Sequence, residues 1–72
     1  MHWTYNGHTT RWEATFGGWR AVVESLSTQC TWQAAIMRRY PPYNERDQTD
    51  FGRPRAAMAW CEEEIMRLRW RG

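Results

Sequence analysis

The side chains able to do chemistry in this 72-residue chain are ten arginines, eight carboxylates, two histidines and two cysteines, and there is no lysine. Their spacing argues against catalysis. G-x-S-x-G, G-x-x-x-x-G-K-[ST] and H-E-x-x-H are absent, and no pair of carboxylates is arranged for acid–base work. His2 and His8 fall near the first residue and at a predicted turn tip, where an exposed imidazole is expected rather than a base held by a third group. Together with Cys30 and Cys61 they reach the count of a Cys2His2 zinc site, but no C-x-x-C or H-x3-H spacing brings the ligands together. Glu62, Glu63 and Glu64 are consecutive on a predicted helix and so point in different directions. No catalytic residue, metal, cofactor or small-molecule substrate is therefore expected. The length points the same way, since about 70 residues close one core and seldom also wall off a deep pocket.

What remains is recognition. Arginine in place of lysine favours planar, bidentate contacts with phosphate or carboxylate, although GC-rich coding produces the same bias. The formal net charge is only +2, so affinity for nucleic acid has to come from local placement of charge. Six Trp, three Tyr and two Phe are too much apolar surface for a solvated tail, and Trp with Arg is the composition that dominates protein–protein hot spots. The longest apolar runs, Ala21 to Val23 and Ala34 to Met37, fall far short of the roughly 18–20 residues that span a bilayer. His2, Trp3 and Thr4 after Met1 do not begin a secretory signal, so the expected compartment is the cytoplasm and no membrane partner is expected.

Period-two patterning supplies the scaffold. Trp12, Ala14 and Phe16 alternate with Arg11, Glu13 and Thr15, and Gly17-Gly18 then provides a tight hairpin turn. That turn pairs Phe16 with Trp19, Ala14 with Ala21, Trp12 with Val23 and Arg11 with Glu24. A second turn at Thr28-Gln29 places Val23 opposite Ala34, Ala21 opposite Ile36 and Ser25 opposite Trp32. Ahead of these, Trp3 and Tyr5 before Asn6-Gly7 suggest a short edge strand. Residues 40–53, with Pro41-Pro42 and then a polar run, predict a long loop. From Pro54 the spacing becomes helical, with Ala57, Cys61, Ile65 and Leu68 on one stripe. On that stripe Cys61 behaves as a small buried hydrophobe rather than half of a disulfide with Cys30.

The expected class is α+β, a single domain over residues 1–72. It comprises a three- or four-stranded antiparallel meander (strands about 2–5, 10–16, 19–26 and 31–39) packed on one C-terminal helix at about 54–70. Its core would be Trp12, Ala14, Phe16, Trp19, Ala21, Val23, Trp32, Ala34 and Ile36 from the sheet, with Ala57, Trp60, Cys61, Ile65 and Leu68 from the helix.

Two binding surfaces follow from this arrangement. The uncovered sheet face would present Arg11, Thr15, Arg20, Gln33 and Arg39 to double-stranded DNA, where Arg reads guanine, Gln reads adenine and Thr meets phosphate or a thymine methyl. Glu13 and Glu24 on the same face would repel phosphate. The alternative is a protein partner, or a second copy in a homodimer, docked on Trp3, Tyr5, Tyr40, Tyr43 and Trp70. With three strands followed by Phe51 and a helix carrying Ala57 and Trp60, residues 10–70 resemble the arm-type DNA-binding domain of phage and transposon integrases and its plant transcription-factor relatives. That resemblance implies a sheet face entering the major groove and a phage or mobile-element setting. The small sheet with one helix also resembles HicB-type antitoxins, which implies a toxin partner.

Overall fold

The computed structural model describes residues 2–26, 31–41 and 45–70, apart from the side chains of Leu26 and Trp70. Five strands, β1 (Thr4–Asn6), β2 (Arg11–Phe16), β3 (Trp19–Leu26), β4 (Thr31–Arg38) and β5 (Glu45–Phe51), precede one helix, α1 (Pro54–Trp70). They form a single antiparallel sheet in the order β1-β2-β3-β4-β5, so the chain is α+β and each strand lies beside its neighbour in sequence. Pairing between β2 and β3, and between β3 and β4, has the register expected from the apolar alternation. A slip of one residue would move Ala21, Val23, Ala34 and Ile36 out of the core, which is why the register is so strongly specified. Gly17 and Gly18 adopt φ of 54° and 85°, the left-handed geometry a two-residue hairpin turn requires.

The strand count differs from expectation. Residues 45–51, expected within a loop, form a fifth strand on the free edge of β4. Its sequence, ERDQTDF, carries no apolar alternation because six of its seven residues are exposed and only Phe51 turns inward. The register fixes its inner face all the same: Phe51 lies opposite Trp32, and Arg46, opposite Ile36, reaches Glu64 of α1 at 3.8 Å. Between Trp32 and Ala34 the pairing shifts by one residue, a bulge on β5 that accompanies a positive φ of 70° at Asp50. A charged, bulged edge discourages a further strand from adding there, and at the opposite edge β1 is only three residues long.

Helix α1 lies over β3, β4 and β5. Ala57, Cys61 and Ile65 pack on Trp19, Ala21, Val23, Ala34 and Ile36, all of them buried. Small residues at mid-sheet let the helix approach closely, and Trp60 meets Phe51 with ring centroids 6.2 Å apart. Over β1 and β2 the sheet is covered instead by its own aromatics. Trp3 packs against the core and its indole N–H donates to Glu62 at 3.1 Å, while Tyr5 meets Trp12 in a tilted contact with ring centroids 4.7 Å apart. The off-centre helix also accounts for a misplaced core residue: Phe16, expected inside, is 41% exposed, because the helix axis runs over β3 to β5 and only side chains such as Arg69 reach across to β2. Trp12, Trp32, Trp60 and Leu68 are half-buried at the margin of the core rather than within it.

Cys61 is buried with a free thiol, and burial, followed by the charge of Glu62, pushes its pKa from 9.0 up to about 12 despite a lowering backbone hydrogen bond. The native state therefore keeps the proton where the unfolded chain releases it. Stability from this group is complete below pH 9 and is lost as pH rises from 9 towards about 12, by up to roughly 1.4 kcal/mol per pH unit. In a Cys30→Ser background, native protein at pH 8 is expected to resist iodoacetamide and to react only after denaturation. Rapid native labelling would contradict the burial.

Candidate functional site

Cross-strand partners share a face, so the register assigns every strand residue to the covered or the open side of the sheet. The open side carries Arg11, Glu13 and Thr15 on β2, Arg20, Val22 and Glu24 on β3, and Gln33, Ala35 and Met37 on β4. Strand β5 adds two carboxylates to this side, Glu45 opposite Met37 and Asp47 opposite Ala35. Both strand arginines here are already engaged. Arg11 pairs with Glu24 at 3.4 Å, and Arg20 donates to Glu13. Arg11 is also pressed onto the sheet, with its Nε buried and unpartnered. The centre of the open face thus holds two guanidinium groups against four carboxylates, a balance that repels phosphate. Gln33 is half-buried opposite Glu24, and Thr15 is exposed opposite Arg20. A shallow groove of about 420 Å³ runs past Thr15 and Arg20 to His2 and Thr4.

Arg39 lies one residue past β4 and belongs to a different neighbourhood. Its backbone N–H donates to the Gly18 carbonyl at 2.7 Å, which brings the chain after β4 across the β2–β3 turn. Arg38 is the cross-strand partner of Trp19 at the same end. The last turn of α1 arrives there too: the Arg69 guanidinium sits 4.7 Å over the Phe16 ring and packs against Gly17, where an added Cβ would be 3.4 Å from it. The Tyr40 ring packs in the same way on Gly18, 3.4 Å from the position of a Cβ, and is 62% exposed. A side-chain-free turn therefore seats one cation and one aromatic on consecutive residues.

Two ends of the molecule keep arginines without a carboxylate partner among the described residues: this one, and the start of α1 with Arg53 and Arg55. Arg46 and Arg67 converge on Glu64, and Arg11 and Arg20 have their own glutamates. Arg38, Arg39 and Arg69 have no carboxylate within 4 Å among the described residues. Of the five residues expected to contact nucleic acid, Arg39 alone joins this cluster. Arg38 and Arg69 were missed because the signal for them is tertiary: Arg38 lies near the end of a strand on the covered side, and Arg69 belongs to a helix whose C-terminus had to be placed beside a hairpin.

The aromatic residues expected to dock a protein do not gather into one patch. Trp3 is spent on the core and Glu62, and Tyr5 is exposed on β1 beside Trp12. Tyr40 stands at the hairpin end, beyond the four residues of strand that lead from Trp12 to Phe16, a rise of roughly 13 Å. Tyr43, Cys30 and the side chain of Trp70 lie outside the described residues. Among the described residues no group of three or more His, Cys, Asp and Glu side chains is placed to hold a metal ion, and no helix is long and apolar enough to cross a membrane.

No family model, curated protein or solved structure matches this chain. Its function has to be argued from the site.

Proposed function

We propose that the protein is a small non-enzymatic module that binds nucleic acid, and that the contact is centred on Arg38, Arg39 and Arg69 at the β2–β3 hairpin end. One observation carries this reading: these three arginines all lie at the hairpin end without a carboxylate partner among the described residues and beside exposed rings, whereas Arg11 and Arg20 of the open face are paired and the other free arginines, Arg53 and Arg55, are only two. An unpaired guanidinium offers its whole donor fork to a phosphate, while one held by Glu must first give up that partner. The backbone bond from Arg39 to Gly18 fixes the main chain there, and the seat on Gly17 and Phe16 holds the Arg69 guanidinium before any ligand arrives. That reduces the ordering cost of binding. The sheet then serves as the platform for the hairpin end.

The test is a salt titration of binding to labelled single-stranded and duplex oligonucleotides. Arg38→Ala/Arg39→Ala/Arg69→Ala is expected to lose binding to both. Arg11→Gln/Glu24→Gln removes an open-face ion pair at constant net charge and is expected to bind as the parent does. The reverse pattern would return the contact to the centre of the open face.

A further inference from the structure

The hairpin end differs from an ordinary basic patch in the rings that stand within it. Tyr40 is 62% exposed and Phe16 41% exposed, and both lie at the same end as the three arginines that have no carboxylate partner among the described residues. Neither ring is needed for the core. Duplex DNA makes little use of such a site, because its bases are stacked on one another and their faces are closed except at the ends. Nor does the hairpin tip offer anything to read a groove edge, since Gly17 and Gly18 carry no side chains. A single strand has free base faces on a flexible phosphate chain, and exposed aromatics among guanidiniums suit both parts.

We infer that the hairpin end takes single-stranded nucleic acid, with one base stacked on Tyr40 and the adjoining phosphates held by Arg38 and Arg39. This deepens the reading above and rests on it. The Tyr40 ring lies against Gly18, 3.4 Å from where a Cβ would stand, and the φ of 85° there is what calls for glycine, so the turn itself supplies the ring's seat. Arg69, already lying over Phe16, presents the outer face of its guanidinium for a second base, since arginine planes stack on bases much as aromatic rings do. The footprint is short, a few nucleotides at the tip of the molecule.

The experiment measures fluorescence anisotropy with three labelled probes of about twelve nucleotides, within the usual footprint range for small single-strand binders. The probes are an oligothymidylate, an abasic strand of equal length and a blunt duplex. Oligothymidylate is expected to bind at least about tenfold tighter than the abasic strand, the size of one base–aromatic stack. Tyr40→Ala should remove most of that advantage, leaving what the Arg69 stack contributes, without changing abasic binding, and Tyr40→Phe should restore it. Duplex binding as tight as that of oligothymidylate, or an unaffected Tyr40→Ala, would overturn the single-strand assignment while leaving the nucleic-acid reading in place. Failure of all three probes at low salt, with tight binding of a poly-glutamate peptide instead, would overturn both and assign the arginines to an acidic protein.

Discussion

Ile65→Ala is expected to cost about 2–5 kcal/mol of folding stability, and Ile36→Ala a similar amount. Both side chains are fully buried and belong to the cluster that joins α1 to the centre of the sheet. A domain of this length holds roughly 4–11 kcal/mol in total at about 0.05–0.15 kcal/mol per residue, so either truncation removes a large share. The losses should not simply add, because the two residues line one packing interface and share whatever cavity is left. Phe16→Ala should cost less than either, since that ring stays 41% exposed and meets the helix only at its margin, under Arg69. Chemical denaturation of the three variants checks the order. Stabilities equal to the parent in both isoleucine variants would mean that α1 does not pack on this face.

The hairpin arginines carry the other large effect. If three phosphates are neutralised, the logarithm of the binding constant should fall with the logarithm of salt concentration at a slope of roughly −2 to −3. A fourfold rise in salt then weakens binding about 20-fold or more. Arg38→Ala/Arg39→Ala/Arg69→Ala should flatten that slope towards zero and reduce affinity at low salt by more than about tenfold, each charged contact contributing about 1.5 kcal/mol or more where it is well ordered. The three side chains are exposed, so the variant is expected to melt close to the parent. Arg11→Gln/Glu24→Gln should leave the slope where it was. A slope unchanged in the triple variant would remove the hairpin end from the account.

The sequence was most legible where one face of a strand is buried. Between β2 and β4 the alternation of Trp12, Ala14, Ala21, Val23, Ala34 and Ile36 with polar neighbours leaves one register that hides the apolar set, and the Gly17-Gly18 turn fixes the first pairing independently. Strand β5 was illegible for the opposite reason. As an edge strand with six exposed residues it needs no apolar pattern, and it is held by backbone pairing to β4, by Phe51 at one end and by the bond of Arg46 to Glu64. Missing that strand also hid the acidity of the open face, because Glu45 and Asp47 reach it only through the pairing of β5. Phe16 was misread because alternation tells which side of the sheet a residue occupies and says nothing of how far across the sheet a single helix extends. The hairpin cluster joins the ends of β2, β4 and α1, which are separated by most of the chain, and no local pattern brings Arg39 and Arg69 together.

Nucleic acid is proposed to meet the hairpin end and not the middle of the open sheet face. Amide and indole NMR shifts, recorded while single-stranded and duplex oligonucleotides are added at low salt and again at high salt, separate these two contacts. If the hairpin end is the contact, salt-sensitive shifts concentrate at Phe16 to Trp19, Arg38 to Tyr40 and Arg69, with Thr15, Val22 and Gln33 little changed. The largest shifts at Arg11, Thr15, Val22 and Gln33, or no residue-specific shift with either oligonucleotide, would contradict it.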